Sequence, residues 1–204
     1  MHARLQRNGH PTSAKESIRK AAAELFAEKG FTATSTRKIC ERAGITKPVL
    51  YYHFGSKEEL YESLVQGCYN EYQRELRRAS RHGRTTREKL LEVLLAMFSF
   101  SRRNHNEYRM AVRMLMAPER ESPAVDFVEM SRADERLLAE VLREGVHNRE
   151  IRGNPNQIAE AICGIAFAMT MGYFLRGDPP LNRSNARDLI NLLLEGCARE
   201  ATAR

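Results

Sequence analysis

The chain has 204 residues, of which 42% are hydrophobic and 29% charged, and a formal net charge of +7. That is enough apolar material for a sizeable core in one domain or two, and too much for a disordered polyelectrolyte. Four scattered cysteines (Cys40, Cys68, Cys163 and Cys197), with no Cys-x-x-Cys pair, exclude a disulfide scaffold and offer no metal-ligand spacing.

Helical periodicity dominates, and strand alternation persists nowhere. Residues 1–12 read as a flexible basic arm that lacks the apolar core of a secretory signal. Ser13-Ala-Lys-Glu16 fits a capping box and opens a first helix with the apolar stripe Ile18, Ala22, Leu25 and Phe26. Lys29-Gly30-Phe31 ends it, with Gly30 suited to the left-handed conformation. A second helix begins near Thr34 or Ser35 and ends around Ala43. Gly44 supplies a tight turn, Thr46 is positioned to cap a third helix that tolerates Pro48 in its first turn, and Phe54-Gly55 closes that helix. Ser56-Lys-Glu-Glu59, a second capping box, opens a long fourth helix to about Arg78.

The remainder is apolar and nearly neutral. Leu90, Leu91, Leu94, Leu95 and Phe98 mark a fifth helix, and Tyr108 to Met116 a sixth, stopped by Pro118. Ser122-Pro123 is expected to open a long helix through Phe127, Met130, Leu137, Leu138, Val141 and Leu142. Asn154-Pro155-Asn-Gln157 caps another, which ends at Arg176-Gly177; a last helix carries Leu189, Ile190, Leu192, Leu193 and Leu194. The longest apolar run, Ile162 to Leu175, is too short to span a bilayer, so a soluble cytoplasmic protein without membrane contact is expected. There is no Gly-rich phosphate loop, nucleophile elbow or His-Glu-x-x-His, so neither an enzyme nor a cofactor or metal site is expected.

Positive charge is concentrated at the start: residues 1–50 hold ten Lys or Arg against four Glu. A polyanionic partner or a solvated basic face both accommodate that charge. The third helix decides between them. Leu50 and Phe54, four residues apart, share a face that packs with Ile39, Ala43 and Ile45. Lys47, Pro48, Val49, Tyr51, Tyr52 and His53 are left outside. Lys47 can donate to guanine O6 or N7, and Val49 can press on a thymine methyl. The tyrosine hydroxyls and Lys57 suit phosphate oxygens, as do Ser35, Thr36 and Arg37 at the start of the second helix. Two helices hinged at Gly44 form a helix-turn-helix, whose second member enters the DNA major groove.

The stretch from Ile18 to Tyr61 resembles the DNA-binding domain of the TetR family of transcriptional regulators. The likeness rests on Ala22-Ala-Glu-Leu-Phe-Ala-Glu-Lys-Gly-Phe31, Thr34-Ser-Thr-Arg-Lys-Ile39, Ala43-Gly-Ile-Thr-Lys-Pro-Val-Leu-Tyr-Tyr-His-Phe54 and Ser56-Lys-Glu-Glu-Leu60. The resemblance implies an all-α homodimer: a three-helix DNA-binding domain (residues 13–56) joined by a long helix to a helical effector-binding and dimerisation domain (residues 57–204). By motif position it puts DNA contacts on Thr36, Arg37, Lys47, Pro48, Val49, Tyr51, Tyr52, His53 and Lys57. The implied partners are a near-palindromic double-stranded operator and a small effector, with the dimer cytoplasmic and nucleoid-associated when DNA-bound. An alternative reading is a DNA-bound interaction protein controlled by a protein partner.

Further along, alternatives stay open. Gly164, Ala168 and Gly172 recur every four residues, beside Ile158, Ile162 and Ile165; with Leu189 and Leu193 they suit either a dimer interface or the monomer core. Met97, Phe100, Met110 and Met114, with Phe127, Met130, Phe167 and Met171, suit either an adaptable effector pocket or ordinary packing.

Overall fold

The computed structural model describes residues 13–116 and 118–196; the expected arm over residues 1–12, and Cys197, lie outside them. Among the described residues the chain is all-α, with nine helices: α1 (Ala14–Lys29), α2 (Thr36–Ala43), α3 (Lys47–Phe54), α4 (Lys57–Ala79), α5 (Thr86–Arg103), α6 (His105–Met116), α7 (Phe127–His147), α8 (Pro155–Arg176) and α9 (Arg183–Glu195). Contacts divide the chain into two units, one of residues up to 67 with 106–125, the other of residues 68–105 with those from 126 onward.

In the first unit, Ser13 caps α1 by accepting the Glu16 N–H at 3.2 Å, and Ile18, Ala22, Leu25 and Phe26 are buried along one face. Phe26, Phe31 and Tyr61 form an aromatic cluster: Tyr61 meets Phe26 edge-on at 4.9 Å and Phe31 at 5.0 Å. Each such pair adds about 0.5–1.5 kcal/mol beyond the area it buries. Tyr61 and Leu64 lie on α4, so its first turns complete this core. A boundary after residue 56 therefore leaves out part of the unit; it also leaves out α6, whose Met110 and Met114 are buried here. Gly30 takes φ 82° and ψ 178°, a positive-φ extended conformation instead of the expected left-handed helical one. A Cβ there would lie 2.0 Å from the Glu119 carboxylate, so torsion selects glycine and any side chain would also displace Glu119.

In the second unit, Leu90, Val93, Leu94 and Phe98 of α5 pack with Leu138 and Leu142 of α7, Ile162 of α8 and Ile190 of α9. Thr85 and Glu88 cap α5 reciprocally. The helix expected to start at Ser122-Pro123 begins instead at Phe127, because Asp126 accepts the Glu129 N–H at 2.9 Å while Ser122 turns back to the Glu119 carbonyl. At 22 residues, α8 is longer than its apolar run, because Asn154 and Pro155 start it two turns earlier. It extends about 33 Å and is long and apolar enough to cross a membrane by length and composition, so length does not exclude a span as the run suggested.

Candidate nucleic-acid interface

The turn between α2 and α3 is built on Gly44, at φ 67° and ψ 34°, the left-handed region that L side chains enter at a cost of about 1–2 kcal/mol. Nothing lies within 4 Å of where its Cβ would be, so torsion alone selects glycine. Ser35 caps α2 by accepting the Lys38 N–H at 3.3 Å. Thr46 sits at the N-cap of α3 but its hydroxyl makes no cap hydrogen bond, contrary to the expectation from sequence. Proline in that first turn has no N–H to satisfy, which lowers the demand for a cap.

Leu50 and Phe54 of α3 are buried, and Ile39 of α2 is wholly inaccessible. The opposite face is open. Tyr52 is 85% exposed and Tyr51 45%, Lys47 and Pro48 are exposed, and Val49 and His53 are half-buried. The Tyr52 and His53 rings meet edge-on at 5.2 Å, which orders the end of the face. Cation, methyls, imidazole and phenol tips thus occupy one surface of a two-turn helix, the mixture needed for base edges and phosphates together.

The flanking cations are partly engaged. Arg37 pairs with Glu41 at 2.8 Å on the exposed surface of α2. Lys57 donates to the Phe31 carbonyl at 3.1 Å and lies 3.8 Å from the centre of the Phe31 ring. Its ammonium therefore braces the turn after α1, and reaching a phosphate requires giving up that contact. Ser35 is committed to its cap, and Thr36 is half-buried beside it.

The candidate effector residues do not form one group. Met110 and Met114 belong to the first unit and border a small cavity of about 10 Å³ with Phe26 and Tyr61, room for about one water at most. Met97 and Phe100 are buried in the second unit, where Phe127, Met130 and Met171 are half-buried and Phe167 is exposed. A larger open groove of about 710 Å³, on the same unit, is lined by Arg78, Glu92, Leu95, Arg102 and Arg183 among others, and by none of the candidate effector residues.

The candidate dimer residues also divide. Gly164 and Ala168 are exposed, but Ile162, Gly172 and Leu189 are buried, and Ile158, Ile165 and Leu193 are half-buried. Eight residues along a helix turn the side chain by about 80°, so a stripe repeating every four cannot stay on one face. The exposed apolar face runs instead through Gly164, Phe167, Ala168 and Leu175, with the half-buried Met171 between them and Leu192 of α9 exposed as well.

Two residues with evident roles escaped the sequence reading. The Glu119 carboxylate accepts the Phe31 N–H at 3.1 Å and the Thr32 N–H at 2.7 Å, tying the segment after α6 to the turn before α2. Those bonds and Arg113 hold its carboxyl below the usual range, although burial works against them. No sequence pattern marks such a residue. Asp134 on α7 accepts Tyr72 Oη at 3.0 Å and Gln73 Nε2 at 2.5 Å, and burial pushes its carboxyl up to about 7. Here a signal existed: an acid placed on the face of Phe127, Met130 and Leu137.

Residues 18–64 match the family profile described as bacterial regulatory proteins, tetR family. The chain is 37% identical over 90 residues to the transcriptional activator FasR of Mycolicibacterium smegmatis, a match covering 44% of this chain but only 41% of that protein. It is 30% identical over 150 residues to the transcriptional repressor KstR2 of the same species, covering 70% of this chain and 69% of the relative. In structure it is similar to FadR of Bacillus subtilis, solved in complex with stearoyl-CoA, with a TM-score of 0.71 at 21% identity over 89% of this chain and 98% of that one. With a helix-turn-helix at its start and a repressor matched across two thirds of its length, this chain belongs to the TetR family of transcriptional regulators.

Proposed function

We propose that this regulator is a repressor that binds a near-palindromic operator as a homodimer and leaves it when a small apolar or amphipathic effector binds its C-terminal helices. The observation that carries the reading is the solvent-facing surface of α3, with Lys47, Tyr51 and Tyr52 outward over the buried Leu50 and Phe54. Two such helices related by a two-fold axis engage half-sites about 34–36 Å apart, or a multiple of that. The exposed apolar face of α8, continued by Leu192, supports pairing of two copies. Repression is favoured over activation by the longer match to KstR2, against the shorter one to FasR. An amphipathic effector is favoured by the stearoyl-CoA bound to FadR and by the methionines and phenylalanines of α5 and α7. On this reading the protein works in the cytoplasm.

The coupling would run along α4, one uninterrupted helix whose residues 57–67 belong to the first unit and whose residues from 68 belong to the second. An effector that prefers a displaced α4 alters the spacing of the two reading helices. A coupling free energy of about 1–3 kcal/mol weakens operator binding roughly 5- to 150-fold. The test is selection of bound fragments from random double-stranded DNA, repeated with stearoyl-CoA. An inverted repeat released by the acyl-CoA is the expected result. Direct-repeat or unselective binding contradicts the dimeric operator reader, and acyl-CoA binding without loss of operator affinity contradicts the coupling.

A further inference from the structure

The second unit contains a polar centre that DNA binding does not use. Asp134 of α7 is half-buried and accepts one hydrogen bond on each oxygen, from Tyr72 Oη and Gln73 Nε2, both on α4. Both donors are neutral, and among the described residues no Lys, Arg or His side chain pairs with Asp134. The Tyr72 ring packs edge-on against Phe100 of α5 at 5.3 Å. Cys163 of α8 lies close enough for the Asp134 charge to help burial push its thiol up to about 12. Residues of α4 and α8 thus approach the α7 carboxylate, and α5 packs on its tyrosine partner.

Its neighbours along α7 give this centre a direction. Phe127 and Met130 lie seven and four residues before Asp134, on one helical face, and Phe100 touches the tyrosine that holds the carboxylate. Two of the residues proposed for effector binding therefore share the face of the acid, and a third packs on its tyrosine partner. Each carboxylate oxygen accepts one bond here, while an ionised carboxylate can accept about four in all. A half-buried anion with two neutral partners is under-compensated, and a ligand donor would relieve it.

We propose that Asp134 is the polar anchor of the effector site and selects an amphipathic ligand whose polar end donates hydrogen bonds, an alcohol, amide or amine, over one ending in a free carboxylate. This rests on the effector-binding reading above and adds to it the chemistry of the polar end. Tyr72 and Gln73 act as positioning residues that hold the carboxylate toward the ligand.

Protonation gives a readout that a purely structural aspartate lacks. At pH 8 the carboxyl, with its value near 7, is mostly ionised and repels a carboxylate ligand. At pH 6 it is mostly protonated and can donate to that same ligand, so the discrimination shrinks. The other titratable groups facing it are Glu135 on α7, Tyr69 and Tyr72 on α4 and Cys163 on α8; α5 presents Phe100, which does not titrate. The Cys163 thiol and the Tyr69 phenol, both pushed up by burial, stay neutral across this window.

The experiment is calorimetric titration of the full chain with 1-decanol, decylamine and decanoate, below their aggregation concentrations, at pH 8 and pH 6. The expected result is binding of decanol and decylamine about tenfold or more tighter than decanoate at pH 8, with the ratio falling at pH 6. In Asp134→Asn, which preserves both hydrogen bonds if the Gln73 amide turns over, the ratio should be near one at either pH. Decanoate binding as tightly as the other two at pH 8, or a variant that keeps the wild-type ratio, overturns the anchor while leaving an apolar effector site intact. Failure of all three probes to bind overturns the apolar-effector reading and the anchor with it. The wild-type pH comparison stands even if the variant does not fold.

Discussion

Two surfaces of this regulator are exposed for opposite reasons. On α3 the exposed side chains carry polar tips: Lys47, Tyr51 and Tyr52 project from a helix whose buried side is only Leu50 and Phe54. On α8, between Gly164 and Leu175, they carry none: Phe167 is 39% exposed and Leu175 72%, beside Gly164 and Ala168. Water tolerates the first surface, because phenols and an ammonium retain hydrogen bonds there. An apolar strip is different, and on the reading proposed above it is covered by a second copy of the chain. The first surface is shaped to meet a charged, hydrated partner and the second to meet another apolar one, so a single test cannot serve both.

The strongest way to break the contrast is to charge the apolar face. Phe167→Glu combined with Leu192→Glu places two carboxylates where pairing would desolvate them, at a cost of several kcal/mol. Sedimentation should show monomers, and operator affinity should fall by about 100-fold or more, while helix content is unchanged because both side chains are exposed. A variant that remains dimeric would assign the α8 face to some other partner. Lys47→Ala addresses the other surface. If Lys47 reads a base, it should cost about 1–3 kcal/mol on the selected operator and less on random DNA. Equal losses on both would reduce Lys47 to a phosphate contact.

The two surfaces were not equally legible in the sequence. The reading unit could be found because its devices are local: the Ser35 cap, the Gly44 turn and the Leu50–Phe54 pair each lie within a few residues of what they fix. The first turns of α4, and α6 from residue 106 onward, joined that unit through long-range packing, which no nearby residue announces. Glu119 is the clearest case, since its partners Phe31 and Thr32 lie far away in the chain. On α8 the small residues recur every four positions but do not share one face. Gly172 faces inward, where its missing Cβ leaves room for the Asp178 carbonyl and Pro179, while Gly164 faces out. Asp134 was visible as an acid on an apolar stripe, but its meaning depends on Tyr72 and Gln73, which the spacing of the chain cannot bring to it.

Gly44 separates folding from reading within the first surface. Its φ of 67° makes any L side chain strained, yet no atom would obstruct a Cβ. Gly44→Ala should therefore destabilise the fold by about 1–2 kcal/mol, and Gly44→Val by more, since a branched side chain tolerates positive φ least. Chemical denaturation measures the loss. The operator-to-random affinity ratio should not change, because the residue presents nothing to DNA. A folded Gly44 variant with a new preferred sequence would show that the turn sets the angle of α3 as well as closing it.

The smallest effect expected concerns Arg37, and it tests how far the polar surface is committed before DNA arrives. Its guanidinium is held by Glu41 at 2.8 Å in full solvent. Exposed pairs of this kind are weak and screened by salt, so a phosphate can displace the carboxylate readily. If Arg37 makes that exchange, Arg37→Ala should weaken operator and random DNA alike and flatten the dependence of log affinity on log salt by about one. Glu41→Gln should do the reverse in affinity, raising it modestly for every sequence, with the slope little changed because the same phosphate is still neutralised. If both variants bind as the wild type does, the pair belongs to the outer side of α2 and the phosphate contact falls to the free amides at the start of that helix.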